Sequence, residues 1–294
     1  MTKQIEKNKA LISSLFVMLL WGTLFPMVKK GFAAYEVETV GDILLFAGIR
    51  FTICGAVISG FSLAKQKEEM TNVKHAIVPV LLSGLFAIIL HYSFTYMALN
   101  LTDSSKTAIL KQVGVLFYVC FSSLFFKDDK LTIKKFIGVL LGFAGIIAIN
   151  ANGNGISFNV GDALIIAASF CTVFSNVISK KVFQTVHPIA STGVSQLFGG
   201  IVLVIVGIIM GGNVVMKDSL WIMGYICLAS IVSYCIWFGI VKNGELSKLF
   251  IIKFAEPVFA TIFAAVLLNE NIFRVQYLIA FVLITLGISI SNKH

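Results

Sequence analysis

The sequence predicts an all-α integral membrane protein of ten transmembrane helices, built as two inverted five-helix repeats. Three observations predict it. First, the 294 residues are 58% hydrophobic and only 13% charged, with a mean hydropathy of +0.94; a soluble domain carries about 25% charged residues. Second, ten apolar runs approach the roughly 20 residues that cross a bilayer as a helix. Third, the end of the first half realigns without gaps on the end of the second.

The runs lie near 10–32, 40–64, 76–99, 103–126, 133–150, 161–182, 188–211, 218–241, 246–268 and 275–291. The opening string MTKQIEKNKALISSLF enters the first run with no small-residue cleavage site, so no removable signal peptide is expected. The connections are too short for a further domain. The Gly- and Asn-rich string NANGNGISFNVGD (150–162) divides the chain, giving a first repeat over 1–150 and a second over 151–294.

Loop charge sets the orientation. With the N-terminus inside, fifteen Lys fall in cytoplasmic segments, among them Lys65, Lys127, Lys134, Lys180 and Lys242, against five Lys or Arg outside. By the positive-inside rule both termini are cytoplasmic, in a multi-pass protein of the cell (plasma or inner) membrane. The net charge of +9 is spread over short loops with no basic run interleaved with aromatics, so no nucleic acid partner is expected. The five cysteines (54, 120, 171, 227 and 235) sit in apolar runs without CxxC spacing or a nearby His cluster. They read as small buried hydrophobes, not as a disulfide or metal site.

Residues 91–150 slide onto 233–292 with twelve identities in 60 positions, Tyr92 meeting Tyr234, Lys111 meeting Lys253 and Gly145 meeting Gly287. A repeat of five spans, an odd number, makes the second copy enter from the opposite face. Inverted repeats of this kind place a substrate site at mid-membrane between the halves.

The strings LLWGTLFPMVKK, AGIRFTICGA, IAFVLITLGISI and, most specifically, KFAEPVFATIFAAVLLNENI with Glu256, Pro257 and Glu270 resemble the ten-helix EamA-type branch of the drug/metabolite transporter superfamily, and the resemblance spans nearly the whole chain. The resemblance implies secondary transport of small metabolites, often export of amino acids or related compounds, with no ATP hydrolysis and no cofactor or metal. The chain accordingly has no G-x-x-x-x-G-K-[ST] string. It departs from the family in carrying Val115 where the fourth span usually has proline, which predicts a straighter helix there. Lys111 and Lys253 also depart from the general pattern and mark a substrate subclass.

The candidate site residues follow from burial cost. A charge at the bilayer centre costs about 2.5–3.5 kcal/mol on insertion scales, so Lys111 and Lys253 should face a cavity or a partner. Glu256, three residues after Lys253, is expected to pair with it on one helix face, or to serve as a proton-coupling carboxylate or amine binder. Lys111 has Gly114 at the equivalent place, which makes it the candidate for direct anion binding. His91 is either a proton relay or a structural hydrogen-bonder. Tyr92, Tyr234, Trp237 and Trp21 are candidate substrate contacts, with plain packing as the alternative. Arg50, Gln196, Pro257 and Glu270 are assigned structural or gating roles, Gln196 as the candidate counterpart of Arg50.

Charge counting favours a carrier of amino acids or related carboxylate-bearing compounds, working as a monomer or homodimer in the lipid bilayer, with proton coupling a candidate. Phosphorylated and organic-amine substrates are the alternatives. A membrane enzyme fits less well, because no HExxH, GxSxG or carboxylate cluster is present, so no catalytic residue is assigned. A non-transporting receptor leaves the deep lysines unexplained.

Overall fold

A computed structural model describes residues 2–65, 67–101, 110–150, 159–215, 219–268 and 275–292, and all regular structure in them is helical. Helices satisfy every backbone group internally, which the hydrocarbon core of a membrane requires. The first half contains α1 (Thr2–Ala34), α2 (Val40–Lys65), α3 (Lys67–His75), α4 (Ile77–Gly84), a π-helical turn (Leu85–Leu90), α5 (His91–Leu101), α6 (Val113–Phe125) and α7 (Ile133–Asn150). The second contains α8 (Val160–Val182), α9 (Pro188–Ile209), α10 (Leu220–Asn243), α11 (Leu246–Ile252), α12 (Ala255–Leu268) and α13 (Val275–Asn292).

Each of the ten apolar runs is helical in its described residues. Seven stretches are long and apolar enough to cross a membrane: Lys9–Ala34, Val40–Lys65, Ile77–Leu99, Val160–Val182, Pro188–Ile209, Leu220–Asn243 and Leu246–Leu267. Val113–Phe125 and Phe281–Ser291 are shorter apolar helices. The protein is therefore an all-α, multi-pass membrane protein.

The packing runs in matched sets. α2 lies along α9, and α7 along α13; α1 packs on α10 and α12, while α8 packs on α5 and α6. Small residues make the first of these contacts close. Gly48 and Gly55 of α2, and Gly193, Gly200 and Gly207 of α9, recur every seven residues. A Cβ on Gly55 would fall 2.2 Å from the Leu197 nitrogen, and one on Gly200 2.3 Å from the Thr52 nitrogen. The two helices thus run antiparallel, backbone against backbone. Asp42 fixes one end of this seam: it accepts hydrogen bonds from the Thr39 nitrogen (2.8 Å) and, beyond α9, from the Asn213 nitrogen (2.6 Å).

Two turns fall at positions that the sequence repeat aligns. Lys111 and Gln112 form a turn before α6, and Lys253 and Phe254 form a turn between α11 and α12. Pro257 explains the second: it has no N–H to return to the Lys253 carbonyl, and its ring crowds that carbonyl. The first turn precedes α6; the straightness expected of the fourth span from Val115 rests on residues 102–109, which lie outside the described residues. Gly114, the weaker helix former by about 1 kcal/mol relative to Ala, follows that turn and packs its backbone on the Ser169 carbonyl.

At the face where α1 begins, Asp129 gathers the α6–α7 and α10–α11 connections. Its carboxylate accepts hydrogen bonds from Tyr118 Oη (3.0 Å), Lys135 Nζ (2.9 Å), the Ser247 nitrogen (3.0 Å) and Ser247 Oγ. Lys135 also pairs with Glu245, which pairs with Lys248 at 2.8 Å. Burial alone would raise the Asp129 carboxyl, but the hydrogen bonds from Ser247 and Lys135 win and hold it below the ordinary carboxylate value.

Two outcomes are expected. Gly55→Val drives side-chain carbons into the α9 backbone and costs about 3 kcal/mol or more, read as a lower unfolding temperature in detergent. Gly60→Val, where a Cβ meets nothing within 4 Å, is the control that keeps it. For Asp129 the folded value lies below the unfolded one. Its stabilisation is therefore full above the unfolded value of about 3.9 and is lost as pH falls through the folded value. The unfolding temperature should decline in that acid range, and less steeply in Asp129→Asn.

Candidate functional site

A cavity lies between the two halves, with about 690 Å³ of empty space including its opening. Every residue singled out as a substrate contact lines it: Trp21 from α1, His91 and Tyr92 from α5, Lys111 before α6, Tyr234 and Trp237 from α10, Lys253 and Glu256 around the α11–α12 break. Arg50 lines it too, although the sequence pointed only to a structural role. Gln196 is buried but does not line the cavity, and neither of its amide atoms has a hydrogen-bond partner. It is therefore no spatial counterpart of Arg50. Pro257 is buried in the first turn of α12. Glu270 lies outside the described residues.

The charges are answered in three different ways. Lys111 Nζ forms an ion pair with Glu256 Oε1 at 2.9 Å and stands 4.9 Å from the Phe25 ring centroid. Arg50 donates to Ser230 Oγ from Nε (3.1 Å) and Nη2 (2.7 Å) and to the Tyr96 hydroxyl, with its guanidinium 5.3 Å from the Tyr92 ring. Lys253 meets aromatic faces: its ammonium lies 5.0 Å from Trp21, 5.3 Å from Trp237 and 5.4 Å from Phe250.

This corrects the expected Lys253–Glu256 pair. Three residues separate the two, but the turn at Lys253–Phe254 breaks the helix between them, so they do not share one continuous face. Glu256 points instead across to Lys111, from the other half. The assignment of Lys111 as the cation without a neighbour falls with it. Lys253, 5% exposed, has no carboxylate within ion-pair distance among the described residues. Among the described residues lining the cavity, three cations (Arg50, Lys111 and Lys253) face one carboxylate, Glu256. Glu256 Oε2 is buried and has no hydrogen-bond partner.

Hydrogen bonds fix the aromatic walls. Trp21 Nε1 donates to Ser233 Oγ (2.9 Å), and Trp237 Nε1 donates to Asn176 Oδ1 (2.8 Å). The Asn176 amide donates in turn to the Thr172 carbonyl at 2.8 Å. The repeat mates Tyr92 and Tyr234 share a hydrogen bond between their hydroxyls at 2.7 Å. His91 Nδ1 lies 2.9 Å from the Ala168 carbonyl and 3.0 Å from Thr172 Oγ1, which ties the ring to α8. Sequence reasoning missed Thr172, Ser175, Asn176 and Tyr96, which also line the cavity. Their signal was weak: uncharged polar residues three or four apart on one face of an apolar helix.

The indole tether is testable. Asn176→Leu leaves the Trp237 N–H buried without an acceptor and should cost about 1–3 kcal/mol. In a double-mutant cycle by thermal unfolding, most of that loss should vanish when Trp237 is already Phe. A loss of equal size in both backgrounds would show that Asn176 acts elsewhere.

The model of the EamA-like transporter family matches residues 8–151 and 159–293. An uncharacterized inner membrane transporter of Escherichia coli (strain K12), YedA, is 25% identical over 289 residues, covering 94% of this chain and 91% of that one. A probable amino-acid metabolite efflux pump of the same organism is 25% identical over 289 residues, covering 93% and 92%. A protein of known crystal structure superposes with a TM-score of 0.78 at 21% identity, covering 97% of this chain and 96% of its own, which shows the same fold.

Proposed function

As the chain belongs to the EamA-like transporter family and is a membrane transporter, we propose that it carries a small carboxylate-bearing metabolite, most closely an amino acid, outward by alternating access. The observation that carries this reading is the charge balance of the cavity: three cations against one carboxylate, with Lys253 held only by rings. A cation met by aromatic faces gains about 2 kcal/mol when desolvated, less than a carboxylate in the same place supplies. Lys253 is thus the group a substrate carboxylate completes. Glu256 Oε2, lacking a partner, suits the amine of the same molecule. A relative's name as an amino-acid metabolite efflux pump agrees with this substrate class.

The matched packing supports two inverted five-helix repeats over 1–150 and 151–294. α1 against α10 and α12 answers α8 against α5 and α6, while α2–α9 and α7–α13 each pair equivalent spans. Counting α4 with α5, and α11 with α12, and setting aside the short polar α3, gives ten spans. The turns at Lys111 and Lys253 fit the discontinuous spans that carriers of this design place at their binding sites. On this reading the protein sits in the inner membrane with both termini cytoplasmic, following the loop charges. It acts as a carrier and performs no chemistry on its cargo.

In liposomes, uptake of zwitterionic amino acids should fall at least about tenfold in Lys253→Met, the worth of one charge-assisted contact. Lys111→Ala should also impair transport by stranding Glu256 without its partner. Amines lacking a carboxylate should not be carried. Carriage of such amines, unchanged in Lys253→Met, would overturn the substrate assignment and leave the family assignment standing.

A further inference from the structure

We propose that the buried Asp129 cluster is a latch that seals the cavity toward the face where α1 begins. This rests on the carrier reading above. The cavity wall includes Val28, late in α1, and Leu99, near the end of α5, so it extends toward the face where α1 ends. In the other direction the space closes. The Tyr118 ring packs on Phe250 with centroids 4.8 Å apart, and the Tyr118 hydroxyl donates to Asp129. Ser247 lies six residues before Lys253, about 9 Å away along a helix, and it holds Asp129 through both its nitrogen and its hydroxyl.

The cluster crosses between the halves. Asp129 and Lys135 belong to the first; Glu245 and Ser247 belong to the second. A second stitch runs alongside it. Lys180, at the end of α8, donates to the Gly244 carbonyl, and its ammonium stands 5.1 Å from the Phe126 ring. If the two halves exchange conformations, contacts that join them at one face must part for that face to open. Asp129 is 2% exposed and Lys135 3% exposed. This pair is therefore shielded, unlike the exposed ion pairs that contribute little. Breaking it by removing one partner strands the other charge.

The test uses the full-length protein in vesicles of known sidedness, with the five native cysteines replaced by alanine and a cysteine placed at Ser175 on the cavity wall. A membrane-impermeant maleimide is applied from the α1-start face. Asp129→Asn and Lys135→Met should each raise the labelling rate about tenfold, as the loss of a charge-assisted partner implies. Unchanged rates in both, with unfolding temperatures showing folded protein, overturn the latch. Should either variant fold poorly, Lys135→Cys with Glu245→Cys, bridged by a short bis-maleimide, decides the matter. Bridging should stop uptake and spare labelling from the opposite face; uptake that continues through the bridge overturns the latch. Labelling needs no substrate, so its failure is separable from an error in the proposed cargo.

Discussion

The Lys111–Glu256 ion pair is the contact around which the membrane-buried core is arranged. Hydrocarbon offers no solvation, so each charge must be met by protein. This contact meets two at once, and it does so across the two halves, from the turn before α6 to the first turn of α12. Because Glu256 is committed there, it is not available to Lys253, three residues away in the chain but off the same helix face. The remaining cations must be satisfied by weaker means. Arg50 has hydroxyls and ring faces; Lys253 has ring faces alone. The least compensated charge in the cavity is therefore fixed by which lysine the carboxylate chose.

That choice is an asymmetry imposed on a symmetric scaffold. Lys111 and Lys253 are aligned by the sequence repeat and each stands in a turn, and Tyr92 and Tyr234, likewise aligned, bond to one another. The acid is written once: Glu256 in the second copy stands where the first has Gly114. Gly114 is held there by packing, since a Cβ would come within 2.6 Å of the Ser169 carbonyl oxygen. A side chain of any length at that place would push α6 off α8. Close helix packing in one half and a charge pair in the other thus divide two like lysines into one neutralised cation and one open to an anion.

The fold was largely legible because its determinants are local. Apolar run length depends on neighbouring residues, and the helices fall on the runs it marks. The cavity was legible through cost: Lys111, Lys253, His91 and Glu256 are too expensive to bury without purpose, and all four line it. What escaped depends on three-dimensional register. The partner of Glu256 is 145 residues away in sequence, and spacing alone pointed to the wrong lysine because it assumed an unbroken helix. Asn176 and Thr172 carry no charge, so nothing in their burial announced them. The glycines of α2 and α9 were readable, each set recurring at seven-residue steps, and that period marks a close antiparallel seam.

These features divide the molecule into parts that resist motion and parts that permit it. Along α2 and α9 the backbones touch, and Leu197 and Thr52 leave no room for sliding without loss of contact. The turns at Lys111–Gln112 and Lys253–Phe254 are the opposite: each puts a cation beside the cavity where the regular helix gives way. A substrate that draws Lys253 from its rings acts on α11, and α11 begins at Leu246, beside the Ser247 contacts to Asp129. The seven residues of α11 thus link the proposed anion site to the proposed latch as one short rigid rod. Occupancy at one end and closure at the other are then biased by the same element, which is the physical condition for coupling between them.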